Sequence, residues 1–319
     1  MSQITYFPFL PGVPLHVSGN IIKRELDSNS WNKLLTERNP IITCFGGLFE
    51  SYLSLSFAEA LNRFYPSKQL YLNIDQKFNK LIELNNIAKP TQLISKDLIK
   101  KYPFPLFFND GYETFFNYSY NYLYSIDLAQ KSKPHRNYAP IAKQLFRNSF
   151  LPWDINFIPK LRKLQEPLEF TTWKNSKRFN IDKRYILIFP DKTDLSIHSF
   201  SELNWSVAQV KSFVSMCAGS GINSVIITKN TGRYTGINSL VIPPNIEQIL
   251  YLIEKCSYIL SEEIDFLLLS MLLSKNSTII GRFHKNSYSL KSNQKFFQTD
   301  KKIVEMKVLQ PIEVYKAIK

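Results

Sequence analysis

Residues 185–228 read YILIFPDKTDLSIHSFSELNWSVAQVKSFVSMCAGSGINSVIIT, and the fold is decided in this stretch. Tyr185-Ile-Leu-Ile-Phe189 is an unbroken apolar run of strand length, the signature of a strand buried on both faces. A long loop from Pro190 to Trp205 follows, then an amphipathic helix over Ser206–Ala218 and a second apolar strand over Ser224–Thr228. The same grammar continues downstream. Leu240–Ile242 reads as a short strand, Ile246–Lys255 as a helix, Tyr258–Ser261 as a strand, Ile264–Leu273 as a helix and Ser277–Gly281 as a final strand. Strands alternating with helices at this spacing predict a parallel, Rossmann-like sheet. Val308–Lys319 reads as one last helix folding back onto either domain.

Working outward, the first half repeats the pattern. Ile41–Phe45 reads as a strand that stops at Gly46-Gly47, and Leu53–Phe64 as a helix closed by Pro66. Gln69–Ile74 is a strand, Phe78–Ile87 a helix, and Pro103–Phe108 a third strand ending at Asn109-Asp110-Gly111, which predicts a second parallel sheet covered by helices. Tyr138–Pro167 carries Pro140, Pro152, Pro159 and Pro167 with no regular alternation, so a boundary is expected near residue 150. The expected fold class is α/β: an N-terminal Rossmann-like domain over 1–150 and a C-terminal one over 151–319. Two such domains facing each other leave a cleft at the carboxyl ends of their strands, where ligands of open α/β sheets bind.

Composition narrows the function classes. With 44% hydrophobic and 14% aromatic residues the chain has ample material for a core, which excludes a disordered tail. Cys44, Cys217 and Cys256 are widely separated with no CxxC, so neither a disulfide framework nor a cysteine zinc site is expected. His16, His135, His198 and His284 show no HExxH, and GxSxG, GxGxxG and GxxxxGK[ST] are absent, which removes the usual zinc-hydrolase, serine-hydrolase, dinucleotide and P-loop signals. The N-terminus lacks the pattern of a secretory signal and no apolar run reaches bilayer length, so a cytoplasmic protein without a membrane span is expected. The net charge of +14 divides as about +6 in residues 1–150 and +8 in the remainder. Spread so evenly, it marks a solvated basic surface as readily as a polyanion partner.

The residues that offer chemistry lie at predicted strand ends. Gly46 and Gly47 allow a sharp turn and close approach of a ligand, and Glu50 beside Leu48 and Phe49 suits either a general base or a carboxylate at a helix start. Asp110 is the competing base, or else part of an ordinary Asn-Asp-Gly turn. In the second half Lys192, Thr193 and His198 follow one strand, Lys229 and Arg233 follow the next, and Arg282 follows Gly281. Cations repeated along one edge suit a diphosphate. Glu262 and Glu263 open the Ile264 helix, where carboxylates either cap the helix or accept from ribose hydroxyls. Lys131, Lys133, Arg136, Lys143 and Arg147 form a basic stretch free of acids, suited to a phosphate backbone or to solvent.

Tyr185–Pro190 through Trp205, Gly221–Thr228 and Ile246–Ser261 together resemble the donor-binding domain of GT-B glycosyltransferases, most closely the heptosyltransferase-type branch. In that family the last run leads into Asp-Thr-Gly and a His on the following helix. Here those positions hold Glu262, Glu263 and Ile264, with Leu267 where the His stands. The first half is similar in outline, and Glu50 is the nearest match to the family's catalytic Asp. The resemblance implies a GT-B architecture and metal-independent, inverting transfer of a sugar from a UDP- or ADP-type nucleotide sugar to an acceptor hydroxyl, with no further cofactor. Lys192, Lys229 and Arg282 would hold the diphosphate, Glu262 or Glu263 the ribose, and Glu50 or Asp110 would deprotonate the acceptor. The basic stretch adds modified DNA bases as an acceptor class. The competing reading is a catalytically silent GT-B-like protein that serves as a binding or assembly component.

Overall fold

The computed structural model describes residues 5–6, 16–17, 20–21, 39–44, 46–64, 66–92, 106–109, 114–115, 161–162, 164–175, 184–195, 203–273, 277–282, 290, 294 and 300–319. The chain divides into two units, Met1–Arg162 and Lys163–Lys319.

Unit 1 begins with three two-residue strands, β1 (Thr5–Tyr6), β2 (His16–Val17) and β3 (Asn20–Ile21), the last two pairing antiparallel. Then come β4 (Pro40–Cys44), α1 (Leu48–Phe64), β5 (Leu70–Ile74), α2 (Asn79–Asn85), β6 (Ala88–Pro90), β7 (Leu106–Asn109) and β8 (Thr114–Phe115). The six-stranded sheet has the order β1-β8-β7-β4-β5-β6. β4 and β5 are parallel, as expected, with Ile42 beside Leu72, and β6, a short strand the sequence did not announce, adds to them in parallel with Pro90 beside Leu72. β7 departs from the expectation: it runs antiparallel to β4, with Phe107 opposite Ile42. An apolar strand has the same side-chain pattern read in either direction, so its spacing carried no information about polarity. α1 starts at Leu48, earlier than the predicted Leu53, and buries Leu48, Phe49, Tyr52, Leu53, Leu55 and Ala58.

Unit 2 opens with α3 (Leu168–Asn175) and continues as β9 (Tyr185–Ile188), α4 (Val207–Gly219), β10 (Asn223–Ile227), β11 (Leu240–Ile242), α5 (Ile246–Lys255), β12 (Tyr258–Leu260), α6 (Ile264–Leu273), β13 (Thr278–Arg282), β14 (Ile303–Met306) and α7 (Pro311–Ile318). Its sheet is parallel throughout, in the order β11-β10-β9-β12-β13-β14. Numbered within the unit this is 3-2-1-4-5-6, the order of doubly wound dinucleotide-binding sheets. All four residues of β9 are buried, as a strand between two parallel neighbours requires. β13 is not the final strand. β14 follows it as a half-buried edge strand, whose flanking Lys301, Lys302 and Lys307 hid it from a search for apolar runs.

Local chemistry sets the helix ends. Ser206 Oγ accepts from Gln209 N at 3.2 Å while Gln209 Oε1 accepts from Ser206 N at 2.8 Å, a reciprocal cap that starts α4. Asn245 Oδ1 accepts from Gln248 N at 3.2 Å and starts α5. Lys301 Nζ donates to the carbonyls of Ser270 and Met271 near the end of α6, where the helix dipole favours a cation. α7 packs on α4, with Tyr315 OH and Ser220 Oγ 2.5 Å apart and Trp205 Nε1 donating to Leu309 O at 2.6 Å. The three cysteines are separate buried thiols, and burial pushes each up to about 12. Among the described residues no helix is long and apolar enough to cross a membrane.

Gly281 marks a close approach of α6 to the sheet. A Cβ there would sit 2.7 Å from Leu267 Cδ1 and 3.0 Å from Leu290 Cδ1, whereas one at Gly219 would meet nothing within 4 Å. Gly281→Ala should therefore cost about 1 kcal/mol, modest because both obstacles are ends of leucine side chains. Gly219→Ala in α4 should be neutral or gain up to about 1 kcal/mol. Urea unfolding of the two variants checks both signs.

Candidate functional site

The chain leaves β9 toward α4 on one side, and α6 follows β12 on the other, so the switch point of the unit 2 sheet lies between the carboxyl ends of β9 and β12. Most of the predicted site residues of the second half stand along this edge. Lys192 and Thr193 lie in the segment after β9, Lys229 in the one after β10, Glu262 and Glu263 between β12 and α6, and Arg282 is the last residue of β13. His198 lies outside the described residues.

Two carboxylates tie the segment after β9 to its neighbours. Asp191 faces β10: its Oδ2 accepts from Thr228 Oγ1 at 2.6 Å, and its Oδ1 from Arg233 Nη1 at 3.0 Å and Tyr234 OH at 3.3 Å. Glu263 faces the other way: Oε1 accepts from Thr193 N at 2.9 Å and Oε2 from Thr193 Oγ1 at 2.8 Å. Thr193 Oγ1 in turn accepts from Leu195 N at 3.3 Å, and Ser261 Oγ accepts from Glu263 N at 2.9 Å. Asp191 was missed by the sequence reading, which followed cations along the edge. Its signal was there, an acid directly after the Phe-Pro that ends the first strand.

Three of the four cations of the edge are matched by acids. Lys229 pairs with Asp194, Arg233 with Asp191 at 3.0 Å, and Arg282 with Glu262 at 3.6 Å. Arg282 Nε also donates to Lys307 O at 3.4 Å. Lys192 is exposed, and no ion pair to it is found among the described residues. Burial raises Glu262 above the ordinary carboxyl range, against the pull of Arg282. Burial pushes Glu263 up to about 7; its bonds from Thr193 and the charge of Lys229 oppose the shift, and Asp194 adds to it. Phe189 stacks on Phe266 with ring centroids 4.0 Å apart, tying the end of the first strand of unit 2 to α6.

In unit 1, Gly46, Gly47 and Glu50 stand where β4 turns into α1, and all three are buried. Glu50 Oε2 accepts from Gly47 N at 2.9 Å, a bond at the start of α1. Asp110 lies outside the described residues, as does the basic stretch Lys131–Arg147. Leu267 is 2% exposed and packs against Gly281. No group of His, Cys, Asp and Glu suited to a metal ion occurs among the described residues.

No family model and no curated protein matches the sequence. Solved structures do match. ADP-heptose lipopolysaccharide heptosyltransferase II of E. coli aligns over 87% of this chain and 96% of its own, at 10% identity and a TM-score of 0.51. The E. coli heptosyltransferase WaaC, determined with ADP, aligns over 87% and 96%, at 9% identity and a TM-score of 0.52. Two mixed α/β units built on parallel strands, with these neighbours, define a GT-B fold. Within that class the fold is heptosyltransferase-like. At such identities the likeness concerns the fold alone.

Glu263 gives the edge a measurable pH response. Its folded value near 7 lies above the ordinary 4.5, so between these values the unfolded chain ionises first and stability falls as pH rises. The fall amounts to roughly 3 kcal/mol and is complete above about pH 7. Glu263→Gln retains an acceptor for Thr193 N and a donor for Thr193 Oγ1 while removing the ionisation. Denaturant unfolding across this window should show the slope in the wild type and its loss in the variant.

Proposed function

We propose that this chain is a glycosyltransferase that moves a sugar from a nucleotide-sugar donor to an acceptor hydroxyl. The observation that carries the reading is the 3-2-1-4-5-6 sheet of unit 2, whose switch point gathers Lys192, Thr193, Lys229, Glu262, Glu263 and Arg282 along one edge. The fold shared with two heptosyltransferases supports it, one of them determined with ADP. On this reading unit 2 takes the donor, a UDP- or ADP-type sugar, with His198 adding to the binding residues. Unit 1 takes the acceptor, with Gly46 and Gly47 at its turn. Glu50 or Asp110 removes the acceptor proton, and direct displacement at the anomeric carbon inverts configuration without a metal ion.

A thermal-shift panel of nucleotide sugars tests the donor reading, since a ligand at about 100 times its Kd stabilises a folded protein by about 2.7 kcal/mol. At least one member should raise the melting temperature. Transfer assays on Glu50→Gln and Asp110→Asn test the base, because Gln retains an acceptor for Gly47 N and leaves the start of α1 capped. One of the two should slow transfer by about tenfold or more. If neither does, the base lies elsewhere.

Two features favour the alternative of a catalytically silent GT-B-like binding or assembly component. Lys229, Arg233 and Arg282 all have carboxylate partners, and a buried Leu267 fills the place of a family His. A panel in which no nucleotide sugar shifts the melting temperature makes this the better account. DNA bases as acceptor rest on Lys131–Arg147. That variant predicts an affinity for DNA that falls steeply with added salt, and a salt-independent affinity removes it.

A further inference from the structure

We propose that Asp191 is a positioning residue of the carboxyl edge of unit 2: it fixes the backbone that carries Lys192, the cation through which this edge meets an anionic ligand group. This rests on the reading of that edge as a nucleotide-sugar site, and it adds a residue which that reading does not contain. Lys229, Arg233 and Arg282 each hold a carboxylate, so a phosphate that reaches any of them competes with Asp194, Asp191 or Glu262. Lys192 is exposed, and no hydrogen bond or ion pair to it is found among the described residues. Its long stem loses rotamer freedom when a ligand orders it, and a loose backbone beneath the stem would add to that loss.

The backbone beneath Lys192 is held on both sides. Before it, Asp191 Oδ2 accepts from Thr228 Oγ1 at 2.6 Å, and Oδ1 accepts from Arg233 Nη1 at 3.0 Å and Tyr234 OH at 3.3 Å. After it, Glu263 accepts from Thr193 N at 2.9 Å and from Thr193 Oγ1 at 2.8 Å. The ties run in opposite directions, toward the segment after β10 and toward the start of α6. The anchor of Asp191 is itself fixed: Thr228 is fully buried, its N donates to Ile242 O at 3.1 Å, and its Oγ1 accepts from Asn230 N at 3.2 Å. With donors on both oxygens, Asp191 does not draw in the lysine beside it.

The sign of the effect separates positioning from plain electrostatics. Asp191→Asn removes a negative charge next to Lys192 and releases Arg233 from its pair, so on charge alone a diphosphate would bind more tightly. The amide cannot accept from Thr228 and from Arg233 at once, because one of its two ends is a donor. Positioning therefore predicts weaker binding.

Isothermal titration of the full chain with ADP and UDP tests this. Lys192→Met should weaken the tighter-bound of the two by about tenfold or more, and Asp191→Asn by about threefold or more. In the Lys192→Met background Asp191→Asn should change affinity by less than about twofold, because a residue that acts only through Lys192 has nothing left to position. Thr228→Val removes one tie and no charge; it should weaken binding in the same direction, and it carries the test if Asp191→Asn does not fold. No loss in Lys192→Met, unchanged or tighter binding in Asp191→Asn or Thr228→Val, or an undiminished loss in the Lys192→Met background overturns the inference and leaves the nucleotide-sugar reading standing. Absence of binding of ADP and UDP by the wild type overturns the inference together with the UDP- or ADP-type donor on which it rests.

Discussion

Because Tyr185–Ile188 pairs in parallel with β10 on one edge and β12 on the other, its backbone groups are satisfied within the sheet and its side chains are buried on both faces. Everything in unit 2 follows from that placement. An inner parallel strand demands crossover helices, which supply α4 and α5. It also makes β9 the point where the chain diverges, so the segment leaving it at Phe189 is the one that neighbours both halves of the sheet. That segment is held on two sides by carboxylates, Asp191 toward Thr228 and Arg233, and Glu263 toward Thr193.

The electrostatics of the edge invert the first impression of a basic protein. The net charge of +14 is a sum over the whole chain. At the switch point Asp191, Asp194, Glu262 and Glu263 stand among Lys192, Lys229, Arg233 and Arg282, and three of the four cations are engaged in ion pairs. Exposed pairs such as Lys229 with Asp194 add little stability. Glu263, raised by burial into the neutral range, couples the same edge to pH.

From β9 to β13 the strands and helices of unit 2 were legible to within about two residues because each apolar run is flanked by clear stops, Ser206 before α4, Asn245 before α5 and Gly221 after α4, whereas α3 was not read at all. β14 was not, since its residues are half-buried and its flanks are lysines. In unit 1 the early start of α1 was hidden because the bonds of its first turn, among them Gly47 N to Glu50 Oε2 and Ser51 N to Gly47 O, are ones that sequence spacing permits but does not announce. The edge residues were found by position. Their partners were not, and Asp191 was overlooked although it joins three neighbours.

What the sequence determined by itself is the alternation of apolar strands and amphipathic helices, since period and punctuation are local properties that fix element type. It also determined which residues lie at strand ends. Only the tertiary structure decided strand polarity, as with β7 running against β4, because the apolar pattern is symmetric under reversal. It also decided the meaning of the charges. Asp191 meets Arg233 across 42 positions and Thr193 meets Glu263 across 70, and a pairing over such separations is settled by the order of strands in the sheet, which no local spacing encodes.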